Sequence, residues 1–464
     1  MTCTNSLSPS EDPRSSSTRG STHRVTSSST MSATQPRTHR PSGVCRHHRT
    51  DAAVDREPTT EGRTLASVRG MSLRDDFGTD VLITGWGHTR FGRLDDQSLE
   101  SLVVTAAREA LASAAVEPGQ VDEIVLGHFN SGLWPLGFAS SLALQVSDEL
   151  ANVPATRVEN ACASGSAAVQ QGVKTLLAGT AHTVLVIGAE KMTHAPSEVV
   201  GAALLGADYE LAGQPSTTGF AGLFAEVAQH YEKRHGPVGD TLGSIAAKNH
   251  RNGVLNPYAQ LRRDLGTDFC RTVSDRNPMV ADPLRRTDCS PVSDGAAALV
   301  LSTRPTGGRA DPVRIAGFGH ANDFLPSTKR DPVAFAGTTA AWERALRMAG
   351  TDVGGLDLIE LHDCFTIAEL VIYEAVGLAP RGAGGRLLEE GTVAREGRLP
   401  VNLSGGLKAK GHPVGATGVS QHVLAAMQLS GAAGDMQLAG ARRAAVHNMG
   451  GLAVANYVSV LEAC

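Results

Sequence analysis

Two turns of this 464-residue sequence carry side chains able to do covalent chemistry. The first is RVENACASGSAAVQQGVKTLLAG, at 157–179, with Cys162 among small neighbours. Val169, Val173, Leu176 and Leu177 recur at helical spacing, so the segment after Gly165 reads as a helix with one buried face. Cys162 then falls just before or within the first turn, where unpaired N–H groups and the helix dipole favour a thiolate, the nucleophilic form. Ala161, Ala163, Ser164 and Gly165 leave room for an acyl group. The second turn is NLSGGLKAKGHPVGATGVSQHV, where glycines and a proline surround His412 ahead of a helix expected to start near Ala416. A cysteine in such a place is either an inert buried thiol or a nucleophile, and a histidine is either structural or a base. Together they form the minimal activated thiol.

Those turns need elements to hold them, and the chain supplies them twice. From position 80 onward, short Val/Ile/Leu runs alternate with helix-period segments, the pattern of an α/β protein with buried sheets. VLITGWGH at 81–88 returns as VRIAGFGH at 313–320. The following unit, 107–127, lines up with 342–362, sharing Ala110/Ala345, Leu111/Leu346, Gly119/Gly354, Asp122/Asp357 and Ile124/Ile359. Two neighbouring segments repeating in the same order imply a duplicated α/β half. Pseudo-symmetric packing of the halves would bring the two special helix N-termini together, with Cys162 facing His412.

Bulk properties narrow the class. With 51 glycines and 41% hydrophobic residues, the chain reads as a compact enzyme rich in tight turns. A net charge of -5 gives no reason to expect nucleic acid or an acidic membrane as partner, and no later stretch has the roughly 18 apolar residues of a membrane span. Seven scattered cysteines, without a CxxC pair or zinc-like cluster, fit a reducing, cytoplasmic setting. Residues 1–70 are rich in Ser, Thr, Arg and Pro and read as a disordered leader, with Met71 a natural start for the folded chain. Residues from 190 to about 290 are too long for a simple connection between the strands TVLVIGAE and AAALVLS. Helices are expected within TTGFAGLFAEVAQHYEKRHG and KNHRNGVLNPYAQ, and Arg251, Arg262 and Arg263 are candidates for phosphate contacts or for a solvated face.

NACASG, HDCF and GGLKAKGHPVGATG resemble the signature segments of the thiolase superfamily, across residues 76–464. HDCF at 362–365 resembles the sterol-carrier-protein type rather than the commoner type, which has NEAF there. HNMGG at 447–451 puts Asn448 where the commoner type has a second catalytic cysteine. The resemblance implies an α/β thiolase fold: duplicated βαβαβαββ halves packed as a five-layer αβαβα sandwich. The first half spans 76–305, with a loop or lid domain at about 190–290, and the second spans 310–464. It implies an acyltransferase that runs thiolysis or Claisen condensation through an acyl-Cys162 intermediate, with His412 taking the thiol proton. Cys364 then replaces the missing acid/base thiol, His362 and His412 stabilise the enolate, and Cys162 and Gly450 N–H groups form the oxyanion hole. Cys364 suits that task if its pKa lies within reach of neutrality. Ser290 and Asn448 are candidate substrate contacts. No metal or permanently bound cofactor is expected; coenzyme A and its acyl thioesters are substrates. A homodimer or dimer of dimers is implied. A related acyltransferase or carbon–carbon lyase working with a small partner subunit, and a non-catalytic acyl-CoA-binding subunit, are the competing readings.

Overall fold

A computed structural model of the chain describes residues 73–464, so the leader lies outside the described residues. The repeat seen in the sequence is a repeat of structure. The first half contains β1 (Leu82–His88), α1 (Leu99–Ala114), β2 (Glu123–Gly127), β3 (Ala155–Val158), α2 (Ser164–Leu177) and β4 (Thr183–Glu190). After an excursion bearing α3 (Ser197–Leu205), α4 (Gly219–His235) and α5 (Gly239–Gly253), it closes with β5 (Gly295–Ser302). The second half contains β6 (Val313–Asn322), α6 (Ala336–Met348), β7 (Leu358–Glu360), α7 (Thr366–Ala375), α8 (Gly406–Lys410), α9 (Thr417–Leu429), β8 (Arg443–Gly450) and β9 (Ala455–Ala463).

Strands run in the order β3-β2-β4-β5-β1 in one half and β6-β9-β8-β7 in the other, joined where Leu82 and Ile83 of β1 pair with Arg314 and Val313 of β6. The pairing senses match: β2/β4 and β7/β8 are parallel, β4/β5, β5/β1, β8/β9 and β9/β6 antiparallel. The shared residues do the same work twice. Asp122 accepts from the N–H groups of His182 and Thr183 at the start of β4, and Asp357 accepts from those of Arg442 and Arg443 at the start of β8. A Cβ on Gly87 would lie 2.1 Å from the Ala106 carbonyl of α1, and one on Gly319 would lie 2.0 Å from the Ala341 carbonyl of α6. The repeated glycines therefore let each outer helix sit directly on its strand.

Strands buried on both faces explain the unbroken apolar runs. Val184 and Val186 of β4 join Leu299 and Leu301 of β5 in the inner core, with Val173 of α2 and Val423 of α9. Leu185 and Ile187 point the other way, to Leu102, Val103 and Ala110 of α1. The layers are thus α1, the first sheet, the α2/α9 pair, the second sheet and α6, which is the five-layer αβαβα sandwich of the thiolase fold.

Candidate active site

The two central helices start at the same place. Gly165 of α2 comes so close to α9 that a Cβ there would lie 2.8 Å from the Gly415 carbonyl and from the N–H groups of Gly418 and Val419. Side chains on either side would hold the helices apart. The turns before them therefore meet, and the thiol of Cys162 and a ring nitrogen from each of His362 and His412 all lie within 4.8 Å of one another. Cys162 follows Ala161, held at φ 49, a left-handed conformation costly for a non-glycine residue. Among the described residues this is the one set of three Cys, His, Asp or Glu ligand atoms close enough to grip a cation.

Cys162, Cys364, His412 and Ser290 line one cavity of about 90 Å³, closed by Met192, Leu204, Val414 and the aromatic rings of Phe220, Phe224 and Phe365. Phe224 from α4 stacks on Phe365 at 4.5 Å between centroids, so α4 completes the wall. Ser290 reaches the cavity through its backbone, donating to the Cys364 carbonyl at 2.9 Å. Arg251 instead pairs with Asp264 at 3.3 Å and borders a separate groove, while Arg262 bonds the Val254 carbonyl. Neither arginine lines the catalytic cavity.

The imidazole of His412 donates from Nδ1 to the Thr417 hydroxyl (2.6 Å), because that hydroxyl spends its own proton on the Pro413 carbonyl (2.9 Å). Nε2 of His412 is left with a lone pair. Burial first, and then the Lys410 ammonium, lower its pKa to about 3, so the ring is neutral. Lys410 is itself held by Ser420 at 2.9 Å. Asp363, between the two HDCF side chains, is buried and accepts from the N–H groups of Leu407 and Lys408 at the start of α8. It ties the HDCF turn to the turn that carries His412, a helix-capping role.

Two expectations about resting charge need correction. The helix dipole does not leave Cys162 a thiolate: α2 begins at Ser164, and burial pushes the thiol up to about 12, against a smaller downward pull from the Gly451 N–H. Cys364 does not sit near neutrality either, since burial and then the neighbouring Cys162 drive it well above 9.0. At rest a backbone N–H of Gly451 bonds the Cys162 sulfur, and Gly450 and Gly451 both line an adjoining cavity. Asn448, a candidate substrate contact, bonds the Cys162 carbonyl and His362.

Sequence reasoning missed Glu190. Its buried carboxylate accepts from the N–H groups of Phe129, Asn130 and Gly415 and pairs with His128 at 3.1 Å, anchoring the His412 turn from below. An acid ending the otherwise apolar strand TVLVIGAE was the available signal.

A thiol without charge, a neutral imidazole beside it and a second thiol in a mostly apolar cavity are the parts of an acyltransferase that carries its acyl group on sulfur. Residues 81–305 match the family profile described as "Thiolase, N-terminal domain" and residues 319–463 that described as "Thiolase C-terminal domain-like". The chain is 35% identical to the acetyl-CoA acetyltransferase of Methanothermobacter thermautotrophicus over 377 residues, 80% of this chain and 96% of that protein. It is 32% identical to human sterol carrier protein 2 over 392 residues, 80% of this chain and 70% of that protein. Among solved structures, "Ltp2-ChsH2(DUF35) aldolase" superposes with a TM-score of 0.69 at 20% identity, over 83% of this chain and 98% of that one. The chain belongs to the thiolase family. It is a thiolase-type acyltransferase acting on acyl-CoA thioesters.

Proposed function

We propose that the enzyme cleaves and forms the bond between C2 and C3 of 3-oxoacyl-CoA thioesters through an acyl-Cys162 intermediate. The observation that carries this reading is the convergence of groups from both halves of the chain: Cys162, Cys364 and His412 line one cavity, and a ring nitrogen of His362 lies within 4.8 Å of the Cys162 thiol and of a His412 nitrogen. In the degradative direction, Nε2 of His412 takes the Cys162 proton as sulfur attacks the C3 carbonyl. The C2–C3 bond breaks, the acyl group stays on sulfur, and the Cys364 thiol protonates C2 of the departing enolate. The thiol of coenzyme A, deprotonated in turn, then displaces the acyl group and restores Cys162. Because burial keeps both thiols protonated at rest, His412 takes the Cys162 proton before or as sulfur attacks.

The oxyanion formed at C3 takes the backbone N–H groups of Cys162 and Gly450. The enolate oxygen takes His362. No permanently bound group is needed for these steps; coenzyme A is a substrate. A second reading, carbon–carbon cleavage beside a partner subunit, draws on the solved neighbour whose title names an aldolase with ChsH2 (DUF35).

Incubation with acetoacetyl-CoA, followed by mass spectrometry of Cys162 peptides, tests the first reading. An acetyl group on Cys162 is expected, absent in Cys162→Ala. Cys364→Ala keeps the acetyl group from acetyl-CoA but slows carbon–carbon chemistry by about 10²–10⁴-fold, the range for a lost acid/base. Turnover of acetoacetyl-CoA without any acyl-enzyme would sink this reading and favour the lyase.

A further inference from the structure

Asn448 is fully buried, and one atom of its side chain touches two groups. Its Nδ2 lies 3.0 Å from the Cys162 carbonyl oxygen and 2.9 Å from Nδ1 of His362. A carbonyl oxygen only accepts, so the group facing it must be the amide NH₂ and not the amide oxygen. The second amide hydrogen then points at Nδ1 of His362, which must offer a lone pair. A neutral imidazole with a lone pair on Nδ1 carries its proton on Nε2.

We infer that Asn448 is a positioning residue that locks His362 as an Nε2–H donor and, through the same amide, ties that donor to the backbone of the nucleophile. This deepens the proposed reaction and rests on it for the role of the donated proton. Two further observations agree. Nε2 of His362 is buried with no protein partner, as a donor reserved for a substrate oxygen would be. The opposite state, with the proton on Nδ1, would set two hydrogens against each other across 2.9 Å.

His362 and His412 thus have opposite character. His412 is fixed by Thr417 with its lone pair on Nε2 and serves as the base, while His362 is fixed by Asn448 with its proton on Nε2 and serves as the hydrogen-bond donor to the enolate oxygen.

The test uses the full chain with ¹⁵N-labelled histidine, the His362 signals being assigned by their loss in His362→Gln. In the unsubstituted protein the proton is expected on Nε2, and finding it on Nδ1 overturns the inference whatever the activity. Asn448→Asp presents an acceptor in place of the donor and is expected to move the proton to Nδ1. Its carbon–carbon step should fall by about 10²–10³-fold, as for a lost oxyanion donor, with KM changed less than about threefold. Asn448→Ala removes the constraint without reversing it and should cost less, about tenfold. A purely structural role reverses that order, since Asp keeps the volume of Asn and Ala does not; Ala worse than Asp, with the proton on Nε2 in both, refutes the inference. An unsubstituted enzyme that forms no acetyl-Cys162 but holds the Nε2 proton refutes the proposed reaction and leaves the positioning role standing.

Discussion

Burial sets the resting charge of the site, and the same burial should govern how the protein meets acid. Seven of the described histidines have their pKa lowered mainly by burial: His88, His250 and His412 to about 3, His422 and His447 to about 4, His362 well below 6.5, and half-buried His320. In the unfolded chain each titrates near 6.5. Between pH 6.5 and 4 the unfolded state therefore binds more protons than the folded one, and stability falls as pH falls. Each such group contributes a slope of about 1.36 kcal/mol per pH unit once fully engaged. Buried His128 works the other way: the Glu190 carboxylate beside it raises its pKa, so its contribution is present below 6.5 and is lost as pH rises through its folded value. Denaturant unfolding from pH 8 to pH 4 should show a steep loss beginning below 6.5, with an uptake of several protons. A flat profile down to pH 5 would mean that these rings are already charged in the folded state. At this scale Cys162 and His412 were legible from residue type and turn composition. Their resting charges were not, because a helix N-terminus announces itself in sequence and the depth of burial around it does not.

Elements succeed or fail at the α2/α9 crossing. A Cβ on Gly418 would lie 2.2 Å from the Ser166 backbone nitrogen and 2.3 Å from Oδ1 of Asn448, neither of which can yield without moving α2 or the His362 support. Gly418→Ala should destabilise the protein by about 1–3 kcal/mol, the usual cost of overpacking, and should depress activity further than that loss explains. Gly201→Ala in α3, where nothing lies within 4 Å, serves as the control and should be neutral or slightly stabilising. Thermal unfolding and turnover of the two variants decide the matter; equal behaviour would show that the helices can separate freely. The strand–helix repeat was legible because its glycines and aspartates do the same job in both halves. The cavity wall was not. Helical periodicity marks Phe220 and Phe224 as one face of α4, but it cannot say that the face meets Phe365, which is 145 residues from Phe220.

For the molecule as a whole, the active site belongs to neither half. Cys162 comes from the first and His362, Cys364 and His412 from the second, while α9 packs against strands β4 and β5 of the first half as well as β8 of its own. The inner core mixes Val169, Val173 and Val184 with Val419, Val423 and Val446, so its apolar surface is buried only when both halves are present. The covalent link between the halves, by contrast, is a short exposed stretch around Gly307, where nothing lies within 4 Å of a would-be Cβ. Three of its neighbours are pinned to the first half: Thr306 bonds the Ala114 carbonyl, Arg309 bonds the Ser113 carbonyl, and Gly308 packs on Thr84. If burial of the shared core holds the halves together, the peptide bond at Gly307 is dispensable after folding. A protease site inserted there, cut in the folded enzyme, should leave the two fragments co-eluting in size exclusion with most of the original activity. Expressed alone, the 310–464 fragment should be insoluble or unfolded, because its inner helix would face water. Fragments that part without denaturant, or a second half that folds by itself, would mean that the two sheets make their cores separately and meet only at the site.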